Sequence, residues 1–324
     1  QPWKIGQALV LLSAILILIY ATKTGIRSAA DPLTIVGLVV LGGCLLLAFV
    51  RMQLGSATPM IDLRLLTLRP IAVGVVMAVA AMIALVGFEL LMAQELQFVH
   101  GKTPLQAGMF MLPLMTAAGV AGPLAGSFVS MFGLRSVATT GMALSAASFV
   151  GLAVTDFGAH PVVAMVWMTV LGFSVGTALM ASTVAIMSSA PAERAGAAGS
   201  MEGMAYELGA GLGVALMGTM LTSAYAKSML LPSGLPLDIA AQASASIGEA
   251  MQAADQIAGP LAEIVREAAR MAYTSAHRLV LWTAAGILGA LTLLVWQVLP
   301  HRVSAAMRHG TPDAARASLS RCEP

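Results

Sequence analysis

Long apolar runs that match the thickness of a lipid bilayer recur along this chain. A helix crosses the hydrocarbon core of about 30 Å in roughly 20 residues, and here 58% of the residues are hydrophobic while 10% are charged. A backbone exposed to lipid must satisfy its own hydrogen bonds, and the runs lack the strict alternation of barrel strands. We therefore predict an all-α polytopic membrane protein with about eight transmembrane helices. The predicted spans cover residues 5–22, 33–50, 71–97, 105–130, 136–155, 161–187, 198–224 and 278–299.

Basic residues are distributed unevenly between the two sides that eight spans define. One side carries Lys4, Arg51, Arg64, Arg69, Arg135, Arg194, Arg302, Arg308, Arg316 and Arg321. Short loops on the other side carry Lys23, Arg27 and Lys102. Because short cytoplasmic loops hold an excess of Lys and Arg, we predict that both termini are cytoplasmic.

Composition and motifs argue against several classes of function. The net charge of +2 is too small to indicate a nucleic-acid partner. Cys44 and Cys322 do not form a disulfide framework, and no Cys and His cluster has metal-ligand spacing, so neither a metal nor a cofactor is expected. The spans contain no His-Glu zinc motif and no nucleophile elbow, which argues against an enzyme. Because the chain begins Gln1-Pro2-Trp3, we expect it to be a piece of a longer protein.

Residues 237–276 have helical spacing but are too polar for a span. The pattern is broken at Gly259-Pro260, which predicts a helical hairpin outside the membrane. Two interpretations are open, a solvated lid and a role in gating.

The seventh predicted span contains a carboxylate near the middle of the bilayer. Glu207 lies about nine residues into the helix, roughly 14 Å deep, where an acidic group is costly and usually marks an ion or substrate path. Gly203 and Gly211 lie one turn on either side of it and leave a low-profile face. The alternative is a structural carboxylate paired with a basic group or a serine on another helix. No Lys or Arg lies at that depth in the spans, so we favour proton and cation binding.

Glu202 and Glu89 are further candidates for proton or cation binding. Glu202 is five residues before Glu207 and therefore on another face; it is either a group through which protons or substrate enter, or a solvated helix-end charge. Glu89 shares a face with Met82 and Met92, and a polarizable methionine wall around one anion suits flat lipophilic cations. Ordinary packing is the alternative for the two methionines.

Four ionisable residues map to the outer ends of the predicted spans. Glu95, flanked by Gln94 and Gln97, is expected to be a solvated helix end. His100, His160 and His277 are expected to face water.

Three loops carry a family resemblance when they are considered together. They are PMIDLRLL (59–66), VHGKTPLQAGMFMLP (99–113) and APAERAGAAGS (190–200). In this order and spacing they resemble the second half of the fourteen-span drug:proton antiporters of the major facilitator superfamily. Residues 206–209, Tyr-Glu-Leu-Gly, also match that family's Tyr-acid-Leu-Gly pattern, which supports Glu207 first and Glu202 second and adds Tyr206 to the substrate cavity.

The resemblance implies a domain organisation and an activity. Residues 1–50 would be two extra linking helices, 51–70 a cytoplasmic linker, 71–300 a six-helix carboxy-terminal half with an extracytoplasmic hairpin at 225–277, and 301–324 a cytoplasmic tail. The implied function is proton-coupled export of lipophilic mono- and divalent organic cations, such as methyl viologen, quaternary ammonium compounds and biguanide-type antiseptics. The implied partners are these cationic drugs, protons, the lipid bilayer and a missing amino-terminal half. The alternative is a truncated fragment that inserts and packs but transports nothing.

One loop departs from the family pattern. The family often repeats G-x-x-x-D-R-x-G-R after the fourth of these spans, whereas GSFVSMFGLR (126–135) has Ser130 and Met131 in place of the Asp and Arg. We therefore expect the charged latch between helices to be lost on this side.

Overall fold

The computed structural model describes residues 32–55, 62–232, 235–257 and 259–299, together with short helical stretches between residues 6 and 20. Parts of the first predicted span (5–22) and the whole of the tail at 301–324 lie outside these described residues. Where the chain is described, it is helical and contains no strand, so the prediction of an all-α membrane protein is confirmed.

Nine α-helices follow one another in the described residues, and seven of them are long and apolar enough to cross a membrane. The second continues into a single π-helical turn, Glu95–Val99. The helices are α1 (Pro32–Gly55), α2 (Arg69–Gln94), α3 (Pro104–Phe132), α4 (Leu134–Val154), α5 (Pro161–Ser189), α6 (Ala195–Ser228), α7 (Leu237–Ala245), α8 (Ile247–Asp255) and α9 (Pro260–Val298).

Local sequence signals explain where several of these helices begin. Thr103 accepts a hydrogen bond from the Gln106 amide, the Gln106 side chain accepts one from the Thr103 amide, and Pro104 occupies the first turn of α3. This is a capping box, which satisfies two amides that the helix itself leaves free. Gly133 has a φ of 83°, and this left-handed conformation, which favours glycine, separates α3 from α4.

The predicted hairpin differs in its detail from the expectation. The break at Gly259-Pro260 is present, but α9 begins there and runs without interruption to Val298. The second arm is therefore continuous with the last predicted span, which had been expected to begin at residue 278. The first arm is divided at Ser246, whose hydroxyl accepts a hydrogen bond from the Glu249 amide and so starts the separate helix α8.

The described chain divides into two compact units. The smaller unit contains residues up to Leu68 together with Ala190–Met201. In it, Asp62 accepts a hydrogen bond from the Arg64 amide at the start of the 3-10 helix Leu63–Thr67, and its other oxygen lies 2.9 Å from Arg194 Nη1. A carboxylate thus joins the segment before α2 to the start of α6 within that unit.

The larger unit contains Arg69–Ser189 and the residues from Glu202 onward. Glycines allow its helices to approach closely, as is common in membrane bundles. A Cβ on Gly176 of α5 would lie 2.6 Å from the Ala118 carbonyl oxygen of α3. A Cβ on Gly209 of α6 would lie 2.7 Å from the Val79 carbonyl oxygen of α2, and Gly213 approaches Ile83 in the same way. Two helix pairs, α3 with α5 and α2 with α6, are therefore packed backbone to backbone.

We expect Gly176→Ala to destabilise the protein by about 1–3 kcal/mol, because the added methyl group meets backbone that cannot move aside alone. The measurement is thermal unfolding of the purified chain in detergent. The matched control is Gly286→Ala on α9, where a Cβ meets nothing within 4 Å. The control should be neutral or slightly stabilising, because alanine favours a helix over glycine. Equal melting temperatures for the two variants would contradict the close packing of α3 and α5.

Candidate cation and proton site

Glu202 is held between two helices of the larger unit by hydroxyl groups. Thr183 of α5 donates a hydrogen bond to Glu202 Oε1, and the Tyr206 hydroxyl, one turn further along α6, donates to the same oxygen at 2.8 Å. The hydroxyl oxygens of Thr183 and Tyr206 lie 3.0 Å apart. Glu202 is half-buried, and its carboxylate is held by these two hydroxyl groups. Thr183 itself was not among the sequence candidates.

Glu207 lies on an open face of α6. Gly209 and Gly213 pack against α2, and Glu207 is about 200° around the helix from Gly209 at roughly 100° per residue. Glu207, Gly203 and Gly211 are all exposed, and a Cβ on either glycine would meet nothing within 4 Å. The structure thus has a low-profile face around Glu207. This face leaves room for a flat molecule or another helix beside the carboxylate.

Glu89 lies half-buried on α2, and its Oε1 is buried with no hydrogen-bond partner among the described residues. The two methionines that were expected to form a wall beside it do not line an open cavity. Met92 is 0% exposed and belongs to the core with Phe88 and Leu91, and Met82 is half-buried where α2 crosses Gly209. The packing alternative therefore holds for Met92, because the face of α2 that carries it is covered by neighbouring helices.

No basic side chain forms an ion pair with Glu89, Glu202 or Glu207 in the part of the chain that the structure describes. Each carboxylate can therefore bind a proton or an external cation without first breaking an internal ion pair. The three lie on two helices, with Glu202 and Glu207 on separate faces of α6. The structure does not bring them into one cluster.

The expectations for Glu95 and His277 are wrong. Both residues are only 1% exposed, and Nδ1 of His277 lies 3.0 Å from Oε2 of Glu95. The π-helical turn that begins at Glu95 and the long helix α9 bring the two side chains together across 182 positions. Thr274 also donates a hydrogen bond to Glu95, at 3.3 Å. His100 is partly covered and lies 3.8 Å from Glu95, so it does not simply face water either.

Asp156, in the loop between α4 and α5, stabilises a turn beside this pair. Its Oδ1 accepts hydrogen bonds from the Gly158 and Ala159 amides at 2.8 and 2.9 Å. These bonds, first that from Ala159, lower the pKa of Asp156 below its ordinary value, because they favour the ionised carboxylate. The loop thus keeps a negative charge next to the middle of α9.

Arg135 ends the segment in which we expect the charged latch to be lost, and it makes a contact with an aromatic ring. The guanidinium of Arg135 lies over the ring of Trp296 on α9, 5.2 Å from the ring centroid. This cation–π contact ties the start of α4 to the end of α9.

Comparison with known proteins supports the resemblance expected from the loops. Over 297 residues the chain is 51% identical to the methyl viologen resistance protein SmvA of Salmonella typhimurium, an alignment that covers 91% of this chain. The chain is a relative of drug efflux pumps. It is also 32% identical over 80% of its length to the multidrug efflux pump LfrA of Mycolicibacterium smegmatis, and 30% identical over 52% of its length to the tetracenomycin C resistance and export protein of Streptomyces glaucescens. No family model matches it.

The chain is shorter than these efflux-pump relatives. It spans 60% of the length of SmvA and 51% of the length of LfrA. The seven membrane-length helices among its described residues, together with these relatives, make it a multi-pass membrane protein.

We expect Thr183→Val to destabilise the protein by about 1.5–3 kcal/mol, because it removes a hydrogen-bond donor to the Glu202 carboxylate. The control is Thr169→Val on the same helix, whose hydroxyl is exposed and bonds only to its own helix at Met165. Both are measured by thermal unfolding in detergent. The Thr183 effect should shrink when Glu202 is already Gln. An undiminished effect in that double variant would show that Thr183 acts through something other than Glu202.

Proposed function

We propose that this chain is the carboxy-terminal part of a proton-coupled multidrug exporter of the fourteen-span major facilitator type. Its substrates are lipophilic mono- and divalent organic cations, including methyl viologen, quaternary ammonium compounds and biguanide-type antiseptics. The exporter lies in the bacterial inner membrane with both ends of this chain in the cytoplasm. The similarity to SmvA and the excess of Lys and Arg on one side support this assignment.

The open face around Glu207 is the observation that carries the proposal. A membrane-length helix presents a carboxylate between two glycines, on the side opposite the face that packs on α2. An uncovered acidic group in such a helix is costly in lipid, so it must face a partner or a wet cavity. In transporters built from two halves the binding site lies between the halves. Glu207 would therefore line the cavity shared with the amino-terminal half, beside Gly203 and Gly211.

Competition for one carboxylate supplies the coupling. A cation binds the ionised form of Glu207, and a proton neutralises that form, so each ligand weakens the binding of the other. Cation bound from the cytoplasm is then displaced by a proton from outside, which is antiport. No metal or cofactor is needed for this exchange.

Glu202 and Glu89 take subordinate roles in this proposal. The hydroxyl groups of Thr183 and Tyr206 hold Glu202 near the cytoplasmic end of α6, where it can pass protons or attract cations towards Glu207. Glu89 lies in the outer half of α2, so a cation moving outward meets it after Glu207. Its buried Oε1 has no hydrogen-bond partner among the described residues, so a cation that reaches it displaces none.

A transport-inactive fragment that inserts and packs is the alternative to an exporter. The DNA upstream of the codon for Gln1 distinguishes the two. Six further spans encoded in frame support the exporter, and a stop codon directly upstream supports the fragment.

We expect Glu207→Gln in the complete transporter to lower resistance to divalent cations by at least about tenfold, equivalent to ~1.4 kcal/mol of binding free energy. Resistance to monovalent cations should fall less, because two positive charges need a second anion. The measurement is the inhibitory concentration of methyl viologen and of a monovalent quaternary ammonium compound in cells.

Glu193→Gln is the matched control, since Glu193 is an exposed carboxylate just before α6 and should leave resistance unchanged. Equal membrane levels of the two variants must be shown by immunoblot. Unchanged methyl viologen resistance in Glu207→Gln would remove Glu207 from the proposed site.

A further inference from the structure

A partly open cavity with its own ionisable groups lies away from Glu89, Glu202 and Glu207. It has a volume of about 200 Å³ and lies among the π-helical turn of α2, the loop between α4 and α5, and the middle of α9. Glu95, His277 and Thr274 line it, together with His100, Asp156 and Arg278. The proposed transport path uses none of these residues.

We propose that Glu95 and His277 together form a proton-binding site. His277 Nδ1 lies 3.0 Å from a carboxylate oxygen, so this nitrogen carries the hydrogen and donates it to Glu95. The other ring nitrogen, Nε2, then carries a lone pair and no hydrogen. This nitrogen is buried and has no hydrogen-bond partner among the described residues. The His277 residue as a whole is 1% exposed.

Charge balance gives the reason for a proton as the ligand. With a neutral imidazole, the buried pair carries one uncompensated negative charge, which is costly in a region of low dielectric. A proton added at Nε2 makes an imidazolium beside the carboxylate and brings the net charge of the pair to zero. The cavity offers a route for that proton, because His100, which also lines it, is 23% exposed.

The surroundings of the pair favour a proton over a larger ligand. Phe157 stacks on the His277 ring with centroids 5.8 Å apart, and the Tyr273 ring meets the same imidazole edge-on. A cavity of about 200 Å³ is smaller than the roughly 300 Å³ at which drug-binding pockets begin. Among the described residues no group of three or more His, Cys, Asp or Glu has the geometry of a metal site.

Charged and titratable groups reach the pair from three of the elements packed around it. From the end of α2 comes His100, 3.8 Å from Glu95, and from the α4–α5 loop comes Asp156, which is itself near His100 and His160. From α9 comes Arg278, next to His277. Helix α4 contributes only the apolar Leu152 and Ala153 to the lining, and α8 contributes no side chain. One arginine and one aspartate thus flank the pair. The net charge of the cavity therefore depends on whether His277 carries a second proton.

The test is nuclear magnetic resonance of histidine ring carbons in the detergent-solubilised 324-residue chain. His277→Gln identifies the His277 signal among the five histidines. That signal should change with pH between about 5 and 8, the range in which histidine exchanges its proton. In Glu95→Gln the same change should move to lower pH by at least about one unit, because the imidazolium loses its counter-charge. Glu267→Gln, an exposed carboxylate on α9 that pairs with Arg270, is the control and should leave it in place.

Two results would overturn the proposal. One is a His277 signal that does not change between pH 4 and 9, and the other is an identical change in Glu95→Gln and Glu267→Gln. If Glu95→Gln does not fold, potentiometric titration of the folded double variant Glu95→Gln/His277→Gln decides, because neither group can then take up a proton. The double variant should bind one proton fewer than the unaltered chain between pH 5 and 8, and an equal number would exclude the site. The readout does not depend on transport, so it stands whether or not the proposed export is correct.

Discussion

The cost of a carboxylate inside an apolar helix bundle governs how this chain is organised. An acidic group in a membrane-length helix needs hydrogen-bond donors, a positive partner or water. The structure uses three arrangements. Glu202 receives hydroxyl donors from Thr183 and Tyr206, Glu95 receives His277 and Thr274, and Glu207 stays on an exposed face between two glycines. Each arrangement gives its carboxylate a different chemistry.

Glycine-mediated packing makes these arrangements possible. Because Gly209 and Gly213 bring α6 against the backbone of α2, the register of α6 is set and Glu207 must point to the opposite side. The crossing of α3 and α5 at Gly176 similarly holds α5, which carries Thr183. Stability and function are therefore linked through the same helices, and a glycine substitution far from a carboxylate can still displace it.

Much of the fold follows from sequence, whereas the polar contacts do not. Runs of about 20 apolar residues predict the spans because a bilayer admits few alternatives. They do not show which face of a helix packs, since these helices are apolar nearly all round. The sequence therefore indicated an open face at Glu207 and its glycines, but it favoured a cavity position for Met92 and placed Glu95 and His277 in water. The Glu95–His277 contact depends on a π-helical turn and on a helix that continues through the predicted end of the hairpin, and neither has a signal in hydrophobic periodicity.

In the proposed mechanism a proton and an organic cation compete for Glu207. Proton release on substrate binding is the most direct test of this competition. Methyl viologen is added to the complete transporter in weakly buffered detergent solution, and the change in pH is recorded. We expect acidification by the unaltered protein and by Glu89→Gln, and none by Glu207→Gln at saturating methyl viologen. Release that persists in Glu207→Gln, or that vanishes in Glu89→Gln while Glu207 is intact, would contradict it.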